Sequence, residues 1–524
     1  MRKIFTLICL AFITLASAQE SVTFSDLRYW TPAQLAPYVG KTIRLTQPWF
    51  VNQLSGSGFY GGPRRLMAPT NQARPLTDDY KRIVSANNAG LVNVTGLGAT
   101  PRMGEMLTDL VIKVNSTNSV SIVGTPQRHY TYAEMDTPPN VGNCNVKVCC
   151  MNLCYFLVEN LGSGSQGPTS SSQQRIQYLK ILEALSAVNA DIYAVCEIEQ
   201  GQGALEKLAN GLTQELGRKF TYIDDGMSAS GTWTKSGYIY CSDRIERTGS
   251  MDNNNIGVAN RKKLQAFRHK ESGEVFVLGV NHFKAKVNGP TSGVDSDQGD
   301  GQGAFNNART IEAQSVINSL KKFASVDPDV LLMGDLNAYA KEDPVIKLIE
   351  AGFKDLHQVF HADSSYSYVY SYNSYTAGYL DHALANATMA KQVTGMAAWH
   401  INSDESYRNS YKYSSQTDKF RSSDHDPIIV GLRLGDYNAN EDSGTGNVGA
   451  DALALVNENG QYVLKGMKQG RLRIYGITGQ LEYDEPVDSE SFVIPIDDLT
   501  PGVHIINAYG SGRVMQNKIL VRNK

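Results

Sequence analysis

The chain has 524 residues, 41% of them hydrophobic, and a formal net charge of -3, an ordinary globular composition that excludes a disordered, collagenous or disulfide-scaffold protein. Its length is too great for one core and points to two to four domains. The weak acidity does not advertise nucleic-acid binding, but it does not exclude it, because a metal and a few local cations neutralise a phosphate without a basic surface.

The chain opens with Arg2 and Lys3, an apolar run from Ile4 to Leu15, and the small residues Ala16-Ser17-Ala18. That order predicts a signal peptide over 1–18, since the run is short of the roughly 20 residues that span hydrocarbon. No later stretch is long and apolar enough to span, so an exported protein without a transmembrane segment is expected, with a mature charge of about -5. Six cysteines remain: Cys144, Cys149, Cys150, Cys154, Cys196 and Cys241. Four crowd into one strand-like segment, which suits buried free thiols, with a disulfide also open to an exported chain.

Residues 20–140 read as short strands (KTIRLTQPWFV, GLVNVTGLG, LVIKV) between Gly/Asn/Pro turns, a small all-β unit. From 145 to 435 the pattern becomes strands alternating with amphipathic helices. Ile176, Leu179, Leu182, Leu185 and Val188 at helical spacing predict a helix over 171–189, followed by the strand IYAVCEIE. A second helix is expected near 308–323, leading into VLLMGDL. Residues 436–450 are polar and aperiodic, a linker, and 451–524 is again β-rich.

Within 145–435, chemistry-bearing residues fall at strand ends, where an α/β sheet collects its site. Asn152 interrupts VCCMNLCYF, and Glu197 ends a buried strand, where an isolated carboxylate is costly. Asn281-His282 ends VFVLGVNHF. Asp335 and Asn337, two apart, leave VLLMGDLN on one face. Asp381 lies in YLDHALAN, and Asp424-His425-Asp426 precede an apolar strand. Singly, each also has a structural reading: an aspartate capping a turn, or a histidine satisfied in the rim.

Together, the ordered series N, E, NH, GDLN, LD, SDH resembles the endonuclease/exonuclease/phosphatase superfamily, which contains pancreatic-type deoxyribonuclease and exonuclease III-type nucleases. The resemblance implies an α+β four-layered sandwich over 145–435 and a metal-dependent phosphodiesterase using Mg2+ or Mn2+. By carry-over, Glu197 is the principal metal ligand and Asp424 approaches the metal. Asn152 and Asn337 fix phosphate or water, and Asp335 orients or deprotonates the attacking water. His425, oriented by Asp381, stands over the phosphate as base or electrophile, and His282 is the second catalytic histidine. Arg261 is a phosphate-contact candidate.

Cys154 occupies the position where repair-type members carry an acidic ligand, which favours one metal; were the metal zinc, Cys154 and a histidine would suit it better. The stretch DSDQGDGQGAFNNARTIEAQ resembles large exported bacterial nucleases. There Asp295, Asp297 and Asp300 are candidates for Ca2+, or a solvated acidic loop, and Asn306 for a helix cap. The 20–140 unit resembles the OB-like domain of some exported nucleases. LRIYGITGQL, GVHIINAYG and KILVRNK resemble the C-terminal sorting domain of type IX secretion substrates.

The implied function is an exported nuclease acting on DNA or also RNA, a monomer whose partners are nucleic acid and the secretion machinery. Two readings stand beside it: a phosphatase or phospholipase C of the same superfamily, and a surface-binding protein on an inactive catalytic domain. The six tyrosines between Tyr366 and Tyr379 fit either an exposed lipid-facing loop or a base-stacking one.

Overall fold

The computed structural model describes residues 19–435, apart from 57, 163–166, 228–233, 258–259, 362–363 and 371–374, and 454–521 with short gaps. The expected leader (1–18) and linker (436–450) lie outside the described residues. Contacts divide the chain into two units, 1–435 and 436–524.

Among the described residues of the first unit are two six-stranded sheets. In the first, the strands run in the order Phe220–Tyr222, Thr234–Cys241, Ile192–Glu199, Val146–Phe156, Ile428–Leu432, Val393–Ala398. In the second, the order is Ile245–Asn254, Lys262–His269, Val275–Asn281, Val330–Asp335, Asp381–Ala385, Lys354–Asp355.

Side-chain alternation explains the layering. Val146, Val148, Cys150, Ile192, Ala194 and Cys196 face the second sheet, meeting Leu278, Val280, Leu331 and Met333. Their neighbours Cys149, Met151, Leu153, Tyr193 and Val195 face the helices Ser171–Val188 and Gly203–Leu216. Val277, Val330 and Leu332 in turn face helices Asn306–Leu320 and Asp343–Glu350. Period-2 strands buried on both faces thus give four layers: helices, sheet, sheet, helices. The 171–188 helix stops where Asn189 turns left-handed and its N–H closes on the Leu185 carbonyl. The six cysteines among the described residues are free thiols, four of them buried.

Residues 20–129 form a nine-stranded mixed sheet around Trp30, Trp49, Phe59 and Ile112. The all-β expectation is corrected here by helices Pro69–Gln72 and Asp78–Asn88, the latter capped by the Thr77 hydroxyl on Tyr80 N–H. This sheet is built into the catalytic layers. Met67 bridges Ala377, Asn71 Oδ1 accepts from Tyr379 N–H at 3.1 Å, and the Thr70 hydroxyl donates to buried Glu342 at 2.8 Å.

Arg65 and Asp404, both buried, form an ion pair across the same seam, where Arg102 also donates to Glu405 at 2.6 Å. Removing Arg65 leaves the buried Asp404 carboxylate with only the Tyr366 hydroxyl at 2.6 Å and Arg102 at 4.0 Å. Arg65→Ala is therefore expected to lower unfolding free energy by about 3 kcal/mol. Arg65→Ala with Asp404→Asn should recover part of that loss in denaturant titration; equal loss in the double variant would show that packing, not charge, is at stake.

The second unit contains a three-stranded sheet (Ala454–Glu458, Gln461–Lys465, Ser491–Val493) and a four-stranded one in the order Leu481–Val487, Gly470–Gly476, Gly502–Gly510, Arg513–Val521. Leu464 and residues of the second sheet, Leu472, Ile474, Ile506 and Ile519, share one apolar cluster. The turn after Gly476 and the end 522–524 lie outside the described residues.

Candidate active site

Strands from both sheets deliver the site at one edge of the sheet pair. The 146–156 and 192–199 strands pair in parallel up to Asn152 opposite Cys196, where the register breaks. Just beyond, Cys154, Tyr155 and Glu197 take left-handed backbone (φ 52°, 58° and 55°), as does Asn337 at 48°. Such conformations cost on the order of 1 kcal/mol each for side-chain-bearing residues, and their clustering at one place marks a site rather than a core. Gly334, at φ 133°, lets the 330–335 strand press against the neighbouring strand end, since a Cβ there would sit 1.9 Å from the Asn281 carbonyl oxygen. Asp335 emerges next, opposite Asp381 in the ladder.

Asp335 is the hub. Its carboxylate accepts from the Asn152 side chain at 3.1 Å and from Asn337 N–H at 2.8 Å. His282 Nε2 lies 3.6 Å from both Asp335 and Glu197, and His425 Nε2 lies 3.9 Å from Asp335. His425 donates through Nδ1 to Asp381 at 2.7 Å, and the Ser367 hydroxyl donates to the same Asp381 oxygen at 2.7 Å. The structure thus brings Asn152, Glu197, His282, Asp335, Asn337, Asp381 and His425 together. Asp424 and Arg261 join through their fields on Glu197, while Arg261 also donates to the Thr234 hydroxyl at 3.3 Å.

Asn337 differs from expectation in orientation. Its amide donates to the Phe283 carbonyl at 3.1 Å, so it braces the turn under Asp335 instead of facing outward.

The electrostatics sort these groups. Burial, then the charge of Asp424, push the Glu197 carboxyl up to about 7. Burial also pushes Asp335 up to about 6, against the pull of His425. Burial works against a charged His425, yet Asp381, Asp335 and Asp424 together hold it well above the ordinary imidazole range. His282 goes the other way, kept neutral by burial and by Arg261. Asp424 is disfavoured by burial but held below its usual value by His425 and Arg421. A raised carboxyl beside a raised imidazole is the pattern of a matched base and acid.

Glu197 and Asp424 offer only hard oxygen donors, and their mutual repulsion is what a cation would relieve. Among the described residues no group of three or more His, Cys, Asp or Glu side chains could by itself hold a metal. An open two-carboxylate set nevertheless fits Mg2+ or Mn2+, since magnesium keeps waters and substrate oxygens for its other positions. The Cys154 thiol bonds Asp424 at the same spot.

The acidic loop is spent on its own fold. Asp297 caps Gly299 N–H and Asp300 caps Gln302 N–H, both at 2.9 Å. Asn306 does not cap its helix: left-handed Phe305 occupies that position, and Asp295 reaches the Ala308 N–H at 3.0 Å instead.

The raised Glu197 gives a signed expectation. In metal-free protein the unfolded chain gives up this proton near 4.5, while the folded state keeps it to about 7. Folded wild type therefore loses stability relative to Glu197→Gln as pH rises through that window. The difference should be absent below it and reach about 1–3 kcal/mol above it, measured by unfolding in EDTA; parity at pH 8 would mean the carboxylate is not desolvated.

Sequence reasoning gave several members no role. Glu199 is buried and accepts from the N–H groups of Val158, Glu159 and Asn160 at 2.7–2.8 Å, fixing the loop beside the site. Its place two residues after Glu197 was the available signal. Asp426 anchors the His425 segment, accepting from His400 at 2.9 Å; His400 stacks on Tyr366 at 3.8 Å, whose hydroxyl donates to Asp404 at 2.6 Å. Arg65 thereby reaches the loop that carries His425. Tyr368 lies on the His425 ring, with centroids 4.8 Å apart. Tyr366 and Tyr379 are buried, so the tyrosine-rich stretch is in part a structural support; Tyr372 lies outside the described residues.

The sequence model of the Endonuclease/Exonuclease/phosphatase family matches residues 143–425, more than half of the chain. No curated protein matches. Solved structures that align with part of this chain include an endonuclease/exonuclease/phosphatase from Bacteroides vulgatus, at 14% identity over 55% of this chain and 98% of that one (TM-score 0.39). The mannosyl-6-phosphatase Bt3783 of Bacteroides thetaiotaomicron aligns at 17% identity over 55% and 100% (0.37), and the human Nocturnin catalytic domain at 13% over 54% and 93% (0.35). With the ordered strand-end set assembled at one place and the family match spanning it, this chain belongs to the endonuclease/exonuclease/phosphatase family, whose members are phosphoester hydrolases that generally require a divalent metal.

Proposed function

We propose that the protein is an exported phosphodiesterase that hydrolyses nucleic acid, DNA and also RNA, with Mg2+ or Mn2+. The observation that carries this reading is the raised Asp335 carboxyl beside the raised His425 imidazole, 3.9 Å apart, next to the Glu197–Asp424 pair. Glu197 and Asp424 would hold the metal, which would supply charge neutralisation at the phosphoryl oxygens. Asp335, mostly ionised at neutral pH, takes a proton from the attacking water as its oxygen bonds phosphorus. Asp381 accepts the His425 Nδ1–H and so leaves Nε2–H facing the phosphate. His425 gives that proton to the leaving oxygen as the P–O bond breaks. Neutral His282 sits between Glu197 and Asp335 and separates their charges, while Arg261 would contact a phosphate oxygen.

A lipid phosphodiesterase would favour an exposed apolar loop at the site. Burial of Tyr366 and Tyr379 takes those two rings out of both a lipid-facing and a base-stacking role, while Tyr370 is 45% exposed, so this stretch favours neither substrate. The deciding assay gives purified protein plasmid DNA, bis-nitrophenyl phosphate and sphingomyelin, each with magnesium, manganese or EDTA. Magnesium-dependent loss of DNA is expected; cleavage of sphingomyelin alone would reassign the substrate, and no hydrolysis of any would leave a binding protein on an inactive domain.

Export rests on the 1–18 leader pattern and on the second unit, read as a type IX sorting domain that engages the secretion machinery of a monomeric protein. Among the described residues no helix is long and apolar enough to cross a membrane. Ending the chain after Gly435 should leave hydrolysis within about twofold of the full chain, a surface-type change, while abolishing export or surface retention. An inactive but folded truncation would contradict an independent sorting unit.

A further inference from the structure

We infer that the segment Ser406–Tyr413, beside the His425 loop, is a subsite for unpaired nucleotides flanking the scissile phosphate, with Tyr407 and Tyr413 stacking on bases and the Tyr411 hydroxyl donating to a phosphate oxygen. This rests on the nuclease reading and names its substrate more narrowly, as single-stranded nucleic acid.

Three observations meet here. Tyr411 is buried at 5% exposure, yet among the described residues its hydroxyl finds no hydrogen-bond partner. It lies in the field of Cys154, Asp424 and Glu197, so it borders the proposed metal pair. A buried hydroxyl without a partner is costly, and an incoming acceptor would satisfy it. Next, Tyr407 and Tyr413 are 57% and 67% exposed and meet edge to face with centroids 5.4 Å apart, with the Arg408 guanidinium 6.0 Å from the Tyr407 ring centroid.

Finally, the segment is cationic. SYRNSYKYSSQT, residues 406–417, carries Arg408 and Lys412, no acid and no aliphatic side chain. Its frame is ordered: Ser406 caps the Tyr407–Asn409 turn, and Tyr413 N–H closes on the Ser410 carbonyl at 3.0 Å.

Aromatic faces interleaved with cations track a single strand, because every unpaired base has a face to offer and the phosphates find the charges. In a duplex those faces are already covered by neighbouring bases. A membrane surface is the other chemistry that attracts tyrosine and cations, but insertion needs apolar side chains, which this segment lacks.

The test is fluorescence anisotropy of the full chain with a short labelled oligothymidylate, with a duplex of the same length, and with phosphatidylserine vesicles, all in EDTA to prevent turnover. Wild type should prefer the single strand by roughly tenfold, and Tyr407→Ser with Tyr413→Ser should weaken it on the order of 10- to 100-fold. Arg408→Gln should flatten the salt dependence by about 0.7 in log–log slope. Tyr411→Phe should weaken binding with the fold intact.

Unchanged single-strand affinity in the double variant, a preference for duplex, or vesicle binding removed by the same changes would each overturn the subsite. Single-strand binding that the variants remove, in a protein that hydrolyses no phosphodiester, would leave the subsite standing while the nuclease reading falls.

Discussion

Replacing Glu197 by Gln should abolish metal binding and hydrolysis together, with turnover falling roughly a thousandfold or more, because the several kcal/mol of transition-state stabilisation that a cation supplies goes with its ligand. Gln keeps the shape of the side chain and removes only the charge. Calorimetric titration with Mn2+ and hydrolysis of bis-nitrophenyl phosphate read the two effects separately. Because metal must displace the proton held up to about 7 on this carboxyl, wild-type affinity should also fall as pH drops below that value, and binding at pH 6 should release a proton to buffer. Retained metal affinity with lost turnover would move Glu197 from ligand to proton carrier.

The second large effect concerns His425 and Asp381. His425→Ala and Asp381→Asn should each lower kcat roughly 10²–10⁴-fold with metal affinity nearly unchanged, since proton transfer in the transition state is what both serve. The double variant should cost little more than the worse single one, because the 2.7 Å hydrogen bond makes them one device. Independent, multiplying losses would separate them. Loss of metal binding in His425→Ala, at unchanged fold, would make the histidine a ligand.

How legible all this was depends on how local the signal is. Strands buried on both faces announce themselves by apolar runs; Glu197, His282 and Asp335, at the ends of parallel neighbours, reach one sheet edge, and His425 joins them from the start of the antiparallel 428–432 strand. The helix over 171–188 was readable from its spacing and its Asn189 stop.

What carried no local mark were the long-range partners. Arg65 meets Asp404 across 339 residues, and nothing near either predicts the other. Ser367 sits in a tyrosine-rich stretch that looks like surface loop, yet its hydroxyl holds Asp381. Asn306 has the composition of a cap, but the cap geometry was decided by Asp295, brought to the helix start by the turn between them. The helix at 78–88 was hidden by its polar composition, DDYKRIVSANN, with only Ile83 and Ala86 buried. Left-handed backbone at Glu197 and Asn337 is likewise invisible to residue type alone for glutamate, though asparagine tolerates it.

Glu197 and Asp424 are proposed to hold a divalent cation against a phosphate that His425 faces. Anomalous diffraction from crystals soaked in Mn2+ with a non-hydrolysable phosphodiester reads both positions at once. One manganese peak bonded to Glu197 and Asp424 is expected, with the phosphate between it and His425 Nε2. Manganese bound elsewhere, in the Asp295–Asp300 loop for example, with the Glu197–Asp424 pair empty and the phosphate away from His425, would contradict it.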